Sequence, residues 1–233
     1  MGFLTRVPVG RGPLTADDVA RGAALFPLVG AGIGAAVGGT AVLLEPTFPA
    51  LLAGALAVTV ELVLTGALHV DGLADTADAL GAATRERSLE IMRDPRIGAF
   101  GASAVVVDLL VRTASIAALL DRGGALVTVT VAGALGRAAI LPLAAALPYA
   151  RPGGGLTDRI GLRAAAVGSI AAAAFAIGLA GWIGAAMLGT SLVTTALLVT
   201  AYRSRFGGIT GDMLGAAVEV TVTTSLLASV ALR

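Results

Sequence analysis

Long uninterrupted apolar runs constrain this chain more than any other feature of its sequence. A membrane-spanning helix needs about 20 mostly apolar residues, and such runs recur along all 233 residues. We predict seven spans: Ala24 to Leu44, Phe48 to Leu68, Gly98 to Leu120, Ala125 to Leu147, Ala164 to Gly184, Ala185 to Ala201 and Leu214 to Leu232. The predicted fold class is all-α, a polytopic integral membrane protein with about seven transmembrane helices.

Composition excludes several other classes of protein. The chain is 57% hydrophobic and 13% charged, whereas about a quarter of the residues in a soluble domain are charged. A net charge of +1 gives no bulk attraction to nucleic acid. The chain has no Cys and one His, which excludes disulfides, thiolate sites and His-rich metal sites.

The arginines predict the orientation in the membrane. With the N-terminus in the cytoplasm and seven alternating spans, twelve Arg lie inside and two outside, as the positive-inside rule requires. The long polar segments then all lie on the cytoplasmic side, at 1–23, 69–97, 148–163 and 203–213. A protein with its polar segments on one face is expected to work at that face.

Small residues predict how two helices pack. Gly30, Gly34 and Gly38 repeat every four residues within the first predicted span. This GxxxG pattern lets helix backbones approach closely in lipid. We interpret it as a packing face rather than a ligand site.

Three carboxylates at the end of the second predicted span form the most informative polar pattern. Asp71, Asp75 and Asp78 stand at i, i+4 and i+7, which places them on one face of a helix. Because like charges repel, the face favours a cation between them, and oxygen ligands favour a hard ion. Mg²⁺ fits best, since it binds one or two carboxylates together with substrate phosphates. The alternative is a solvated acidic face, which is disfavoured at a membrane boundary in a charge-poor chain.

Arginines and glycines occur in the same polar segments. Arginine forks bind phosphate groups bidentately, and glycine lets the backbone come close to a ligand. The segments in question are 85–101, 148–155 and 203–212. Together with the acidic run they predict a site for a diphosphate and its metal, where catalysis depends mainly on positioning and electrostatics.

Charges inside the predicted spans need a separate interpretation. Glu61, Asp108, Arg112 and Arg137 lie in apolar runs, where an ionisable residue is functional or paired. We favour structural pairing over catalysis for these four. For His69 two roles stay open: a base acting on a hydroxyl, or a hydrogen-bonding residue at the membrane interface.

The motifs resemble one known family. The run from Leu64 to Asp78, with its HxDGLADxxD pattern, is similar to the signature of the cobalamin synthases, or adenosylcobinamide-GDP ribazoletransferases. Further similar segments cover the whole chain in order: 3–8, 85–101, 136–137, 149–151 and 207–212. Two residues depart from the family pattern, Arg93 where Lys is usual and Pro95 where Ser is common.

The resemblance implies an enzyme of vitamin B12 synthesis in the plasma (inner) membrane, with its active site facing the cytoplasm. It would join adenosylcobinamide-GDP to α-ribazole or its 5′-phosphate, giving adenosylcobalamin or its 5′-phosphate and GMP, with Mg²⁺ as cofactor. The expected partners are these small-molecule substrates and the lipid bilayer, without nucleic acid; a homo-oligomer stays open. The whole chain, 1–233, would form one domain with active-site loops 69–101, 148–163 and 203–213.

The predicted site residues fall into three sets. The expected catalytic residues are His69, Asp71 and Asp75. The expected substrate-binding residues are Arg6, Arg93, Arg96, Arg151, Arg203 and Arg205. The expected metal ligands are Asp71, Asp75, Asp78, Asp94 and Asp212.

Two alternatives belong to other families or classes. A CDP-alcohol phosphotransferase also carries spaced Asp residues on membrane helices, but Asp75 stands where its DGxxAR motif has Arg. A secondary transporter could use Glu61, Asp108 and Arg112 as an ion path. The sequence shows no internal repeat to support it.

Overall fold

The computed structural model describes residues 4–6 and 15–233. These residues form nine α-helices and one 3₁₀ turn, Ala23–Leu25. The helices are α1 (Ala16–Gly22), α2 (Phe26–Leu44), α3 (Ala50–Thr65), α4 (Leu68–Leu80), α5 (Arg85–Ile91), α6 (Ala99–Asp121), α7 (Ala125–Ala146), α8 (Leu162–Phe206) and α9 (Gly211–Ala231). Within the described residues the only β pairing is an isolated bridge between Tyr149 and Ile209. The predicted all-α class is confirmed. Of the family-like opening 3–8, only residues 4–6 lie within the described part.

The predicted membrane character is confirmed, but the number of spans is not exact. Five helices of the described chain are long and apolar enough to cross a bilayer. The number is six if the bent pair of α3 and α4 counts as one span. The difference from about seven lies in α8, whose 45 residues count as one element across a non-helical residue, Gly181, where two adjoining spans were predicted.

A reversal at Gly181 divides α8 into two halves. Gly181 has φ 58° and ψ −133°, outside the helical region, and a Cβ on Gly184 would overlap the carbonyl oxygen of Ala176. Both ends of α8 meet the same end of α7: Leu162 lines a cavity with Ala146, and Arg203 Nη2 donates to the Ala146 carbonyl at 3.1 Å. A straight helix of this length would extend about 67 Å, so α8 is a hairpin.

The predicted glycine packing is present between α2 and α7. A Cβ on Gly30 would overlap the carbonyl oxygen of Gly133, and one on Gly34 would overlap that of Val129. Close backbone contact of this kind replaces side-chain interdigitation where small residues face each other. The core of the bundle is α7, most of whose residues are buried among α2, α8 and α9.

Candidate active site

A sharp elbow between α3 and α4 places the acidic run at one end of the bundle. Gly66 and Ala67 both adopt left-handed conformations, with φ 62° and 56°, and the two helix axes differ by 92°. Ala67 is the only described residue other than glycine with positive φ. Residues 4–6 support the elbow, because Arg6 N donates to the Leu64 carbonyl at 2.9 Å. The end of the bundle that carries α4, residues 147–161 and residues 207–210 is called the loop face below.

α4 packs directly on the first turns of α9. A Cβ on Gly72 would lie 2.5 Å from the carbonyl oxygen of Asp212, and one on Gly215 would lie 3.2 Å from the Cα of His69. Glycine at 72 therefore permits the close approach of the two backbones. This contact brings Asp71 and Asp75 of α4 beside Asp212 of α9, although they are far apart in sequence.

The pKa of Asp75 reflects the carboxylates around it. Partial burial raises the pKa of Asp75 to about 6, and the negative charges of Asp71, Asp212 and Asp78 raise it as well. Arg151 acts in the opposite direction. The cluster therefore holds more negative charge than the protein neutralises, which is the condition for binding a cation.

Arg151 reaches the cluster from the loop between α7 and α8. Ala150 N donates to the Ile209 carbonyl at 2.7 Å, and Ile209 N donates to the Pro148 carbonyl at 2.9 Å. This short parallel pairing fixes the loop beside the start of α9. Arg151 Nη2 then lies 3.1 Å from Asp212 Oδ2, while its buried Nε has no hydrogen-bond partner among the described residues. Arg151 therefore has a fixed position, and its Nε is a hydrogen-bond donor without a partner among the described residues.

Asp78 has a structural partner that its spacing alone does not reveal. Its carboxylate oxygens accept from Gly98 N at 2.7 Å and Gly101 N at 2.8 Å. These amides belong to the N-terminus of α6, where backbone N–H groups lack helical partners and favour an anion. Asp78 therefore joins α4 to α6, and its predicted role as a metal ligand has to compete with this contact.

The other predicted metal ligand, Asp94, pairs locally with a predicted phosphate ligand. Arg96 donates to Asp94 through its backbone N at 3.1 Å, Nε at 2.9 Å and Nη2 at 2.7 Å. Side-chain hydrogen bonds from Arg96 lower the pKa of Asp94 to about 2. Both side chains lie in the exposed loop between α5 and α6, together with exposed Arg93.

Three further predicted arginines contact backbone. Arg203 caps the end of α7 through the Ala146 carbonyl, and Arg205 Nη2 donates to the carbonyls of Leu80 and Ala82 at the C-terminal end of α4. The Arg6 side chain lies against Gly66 at the elbow. Arg85 was not among the predicted site residues. Its Nη2 donates to the Ala150 carbonyl oxygen at 3.5 Å. These arginines hold the loop face together, and phosphate binding by them stays a prediction.

His69 lies at the bottom of a small cavity beside the carboxylates. The cavity has a volume of about 140 Å³ and is lined by Leu4, His69, Asp71, Asp212 and apolar side chains of α7 and α9. His69 is 3% exposed, and its buried Nδ1 has no hydrogen-bond partner among the described residues. Leu4 could not be predicted as a lining residue, because nothing in its local sequence places it next to α9.

The residues present fit a magnesium ion that arrives with a diphosphate. Among the described residues no three His, Asp or Glu side chains form a ready-made metal site. Mg²⁺ does not need one, because it commonly takes one or two carboxylates and completes its shell with water and substrate phosphates. The excess negative charge around Asp75 supplies such a partial set.

Comparison with known proteins supports the family suggested by the motifs. The sequence pattern of the family described as cobalamin-5-phosphate synthase matches residues 1–230. The chain belongs to this family.

Curated relatives agree over nearly the full length. A protein of Pseudomonas paraeruginosa is 40% identical over 97% of this chain and 94% of its own. Proteins of Pseudomonas syringae and Brucella ovis are 38% and 37% identical, again over 97% of this chain, and over 94% and 93% of their own. All three are named adenosylcobinamide-GDP ribazoletransferase. No solved structure gives a significant match.

In this cobalamin-5-phosphate synthase relative, the charges within the spans form one buried network. Arg112 of α6 contacts Glu61 of α3 and Glu219 of α9 and lies 3.4 Å from Asp108. Arg137 of α7 lies 3.2 Å from Glu61. All five side chains are at most 7% exposed. The structure thus shows the pairing that we favoured for the four predicted residues, and adds Glu219.

Proposed function

We propose that this protein is an adenosylcobinamide-GDP ribazoletransferase that uses the carboxylate cluster to bind the diphosphate of its donor substrate. It would join adenosylcobinamide-GDP to α-ribazole or its 5′-phosphate and release GMP. The proposal rests on one observation: the carboxylates of Asp71, Asp75 and Asp212 lie close together at the loop face, beside the guanidinium of Arg151. Family membership supplies the substrates.

Mg²⁺ is proposed as the cofactor. Asp71, Asp75 and Asp212 would hold it, since the charges of Asp71 and Asp212 both act on Asp75. When bound, the ion would offset negative charge on the diphosphate. Asp78 and Asp94, which accept hydrogen bonds from α6 and Arg96, would act in support.

The arginine beside the cluster has a defined task in this mechanism. Arg151 has its Nε free for a phosphate oxygen while its Nη2 contacts Asp212. A guanidinium that is already positioned stabilises charge that develops in the transition state without further reorganisation. Arg93 and Arg96, on the exposed loop before α6, would bind the outer phosphate groups.

The reaction is a displacement at the β-phosphorus. The ribazole hydroxyl oxygen forms a bond to that phosphorus, the bond from the phosphorus to the GMP oxygen breaks, and GMP leaves with the bonding electrons. His69 would accept the hydroxyl proton, because it lines the cavity that Asp71 and Asp212 border and its Nδ1 has no hydrogen-bond partner among the described residues. A neutral imidazole is a suitable base for a hydroxyl.

We propose that the protein lies in the bacterial plasma (inner) membrane and that its loop face points to the cytoplasm. The support is the arginine distribution along the sequence, which places most cationic side chains at this end. Soluble nucleotide products would then leave directly into the compartment that uses them.

The proposal is tested by incubating purified protein with adenosylcobinamide-GDP, α-ribazole phosphate and Mg²⁺, and measuring GMP. We expect release only when all three are present. A His69→Gln variant, which keeps a polar buried side chain but has no basic nitrogen, should release GMP more slowly. Turnover of CDP-alcohol substrates in place of the corrinoid substrate would contradict the proposal.

A further inference from the structure

An apolar groove runs along the outside of the bundle between α2 and the first half of α8. Its membrane-side part is a cavity of about 260 Å³, lined only by apolar residues that include Leu28, Ala31, Ala171 and Phe175. Leu28 is 66% exposed and Phe175 is 36% exposed. Surface of this kind inside the hydrocarbon layer is covered by acyl chains.

The same groove becomes cationic where it reaches the loop face. A wider cavity of about 800 Å³ is lined there by Arg21 of α1 and by Arg159 and Arg163 around the start of α8, with Asp17 the only acidic residue of the lining. Ala24 lines both cavities. The apolar and the cationic parts therefore form one continuous α2–α8 groove.

The charges of the cationic part are incompletely balanced. Arg159 Nη1 lies 2.7 Å from Asp17 Oδ1, and Arg21 Nη2 lies 2.5 Å from Asp18 Oδ1. Three guanidinium groups thus face two carboxylates, which leaves one positive charge. All of these side chains are exposed, and exposed ion pairs are weak enough for a competing anion to rearrange them.

We propose that the α2–α8 groove binds one anionic phospholipid, with its phosphate among the three arginines and an acyl chain along Leu28 and Phe175. A single phosphodiester supplies the missing negative charge, and arginine forks match its geometry. Basic pockets between membrane helices bind anionic head groups for the same reason. The lining includes none of the residues proposed for the transferase reaction, so the site is distinct from the active site.

The headgroup half of the proposal is tested with delipidated protein in detergent. Phosphatidylglycerol should raise the melting temperature and remain bound after washing, as counted by lipid extraction and mass spectrometry, whereas phosphatidylcholine and glycerol 3-phosphate should not. The double variant Arg159→Gln, Arg163→Gln should retain about tenfold less phosphatidylglycerol. Arg87→Gln is the matched control, because Arg87 forms a comparable exposed pair with Glu90 on α5 at 3.0 Å.

The acyl-chain half needs a variant that leaves the arginines unchanged. Ala171→Trp fills the apolar cavity and should also lower phosphatidylglycerol retention, while Ala185→Trp, at another exposed alanine of α8, should not. Equal retention by wild type and both groove variants would overturn the proposal. If phosphatidylcholine had the same effect as phosphatidylglycerol, the groove would make only ordinary lipid contacts. If glycerol 3-phosphate had the same effect, the groove would be a simple anion site. Either result would reject the proposal of an anionic phospholipid site. If the double glutamine variant does not fold, Ala171→Trp decides.

Discussion

The molecule carries two groups of charges that differ in their balance. In the bundle core, Glu61, Asp108 and Glu219 surround Arg112, and Arg137 adds a second positive charge. At the loop face, Asp71, Asp75 and Asp212 have Arg151 as their nearby cation, and the pKa of Asp75 is raised. The first group has two arginines for its three carboxylates, whereas the second has one arginine for three, so the second needs more positive charge from outside.

This difference teaches how to separate structural from functional charge in a membrane protein. Ionisable side chains at membrane depth are rare and costly, but depth alone does not say whether such a charge is structural or functional. The degree of neutralisation by fixed partners is more informative. The following predictions test whether the two groups really have different tasks.

The largest effect should come from removing the central arginine of the buried group. Arg112→Gln leaves three carboxylates with Arg137 as their only cation, and loss of one partner from a buried pair costs about 3–5 kcal/mol. We expect much lower yield and melting temperature in detergent. Adding Glu219→Gln should recover part of the loss, and Arg87→Gln should be neutral. A normal melting temperature for Arg112→Gln would show that this group of buried charges does not stabilise the fold.

Neutralising the exposed group should have the opposite pattern. Asp71→Asn should lower the rate of GMP release by about 10²–10³-fold, the usual effect of removing one preorganised electrostatic contact, while the melting temperature stays unchanged. Asp121→Asn, an exposed carboxylate at the end of α6, is the matched control. Full activity with normal Mg²⁺ dependence in Asp71→Asn would exclude the cluster from catalysis.

A change in helix packing should lower both the stability and the activity. Gly72→Ala introduces a Cβ 2.5 Å from the Asp212 carbonyl, and such overpacking costs about 1–3 kcal/mol. Because α4 must move away from α9, GMP release should fall together with the melting temperature. Gly32→Ala, where nothing lies within 4 Å, should change neither. If Gly72→Ala kept full activity, close contact of α4 and α9 would not be required.

The smallest effect concerns the pH response of Asp75. Because its pKa is raised to about 6, it is ionised at neutral pH and becomes protonated as the pH falls through 6. At limiting Mg²⁺, GMP release should therefore decline over this range, and more Mg²⁺ should move the decline to lower pH, since metal and proton compete. A decline that Mg²⁺ does not move would separate Asp75 from metal binding.

The same pKa shift has a consequence for stability without metal. A raised carboxyl pKa contributes stability only at low pH, and this contribution is lost as the pH rises through about 6. Since the side chain is partly solvated, the cost at neutral pH is screened to about 1 kcal/mol. Asp75→Asn should therefore raise the melting temperature of metal-free protein by about 2–4 °C. An unchanged melting temperature would mean that solvent screens the repulsion completely.

Much of the architecture could be predicted because it depends on local patterns. The apolar runs mark the helices, and the four-residue spacing of Gly30, Gly34 and Gly38 correctly identifies a close helix contact. The i, i+4, i+7 spacing places three Asp on one helix face. These features need no knowledge of which helices are neighbours.

The remaining features depend on contacts between distant segments. Asp78 accepts hydrogen bonds from the start of α6, twenty residues later, and Arg205 caps α4 from the end of α8. No local signal distinguishes these side chains from ligands, since both roles need an exposed charge. The predicted division between Gly184 and Ala185 lies three residues from the reversal at Gly181. Its exact position has no local signal, because the turn contains no polar residue and its neighbours are as apolar as the helices.

That reversal at Gly181 also bears on how the chain enters the bilayer during synthesis. The two halves of α8 are joined without a hydrophilic connection, and exposed Trp182 is suited to the membrane interface at the tip. Neither half has a polar segment that would have to be translocated alone, so they are expected to insert together. Such a pair returns the polypeptide to the side it came from, and every later segment keeps its orientation whether or not the pair is there.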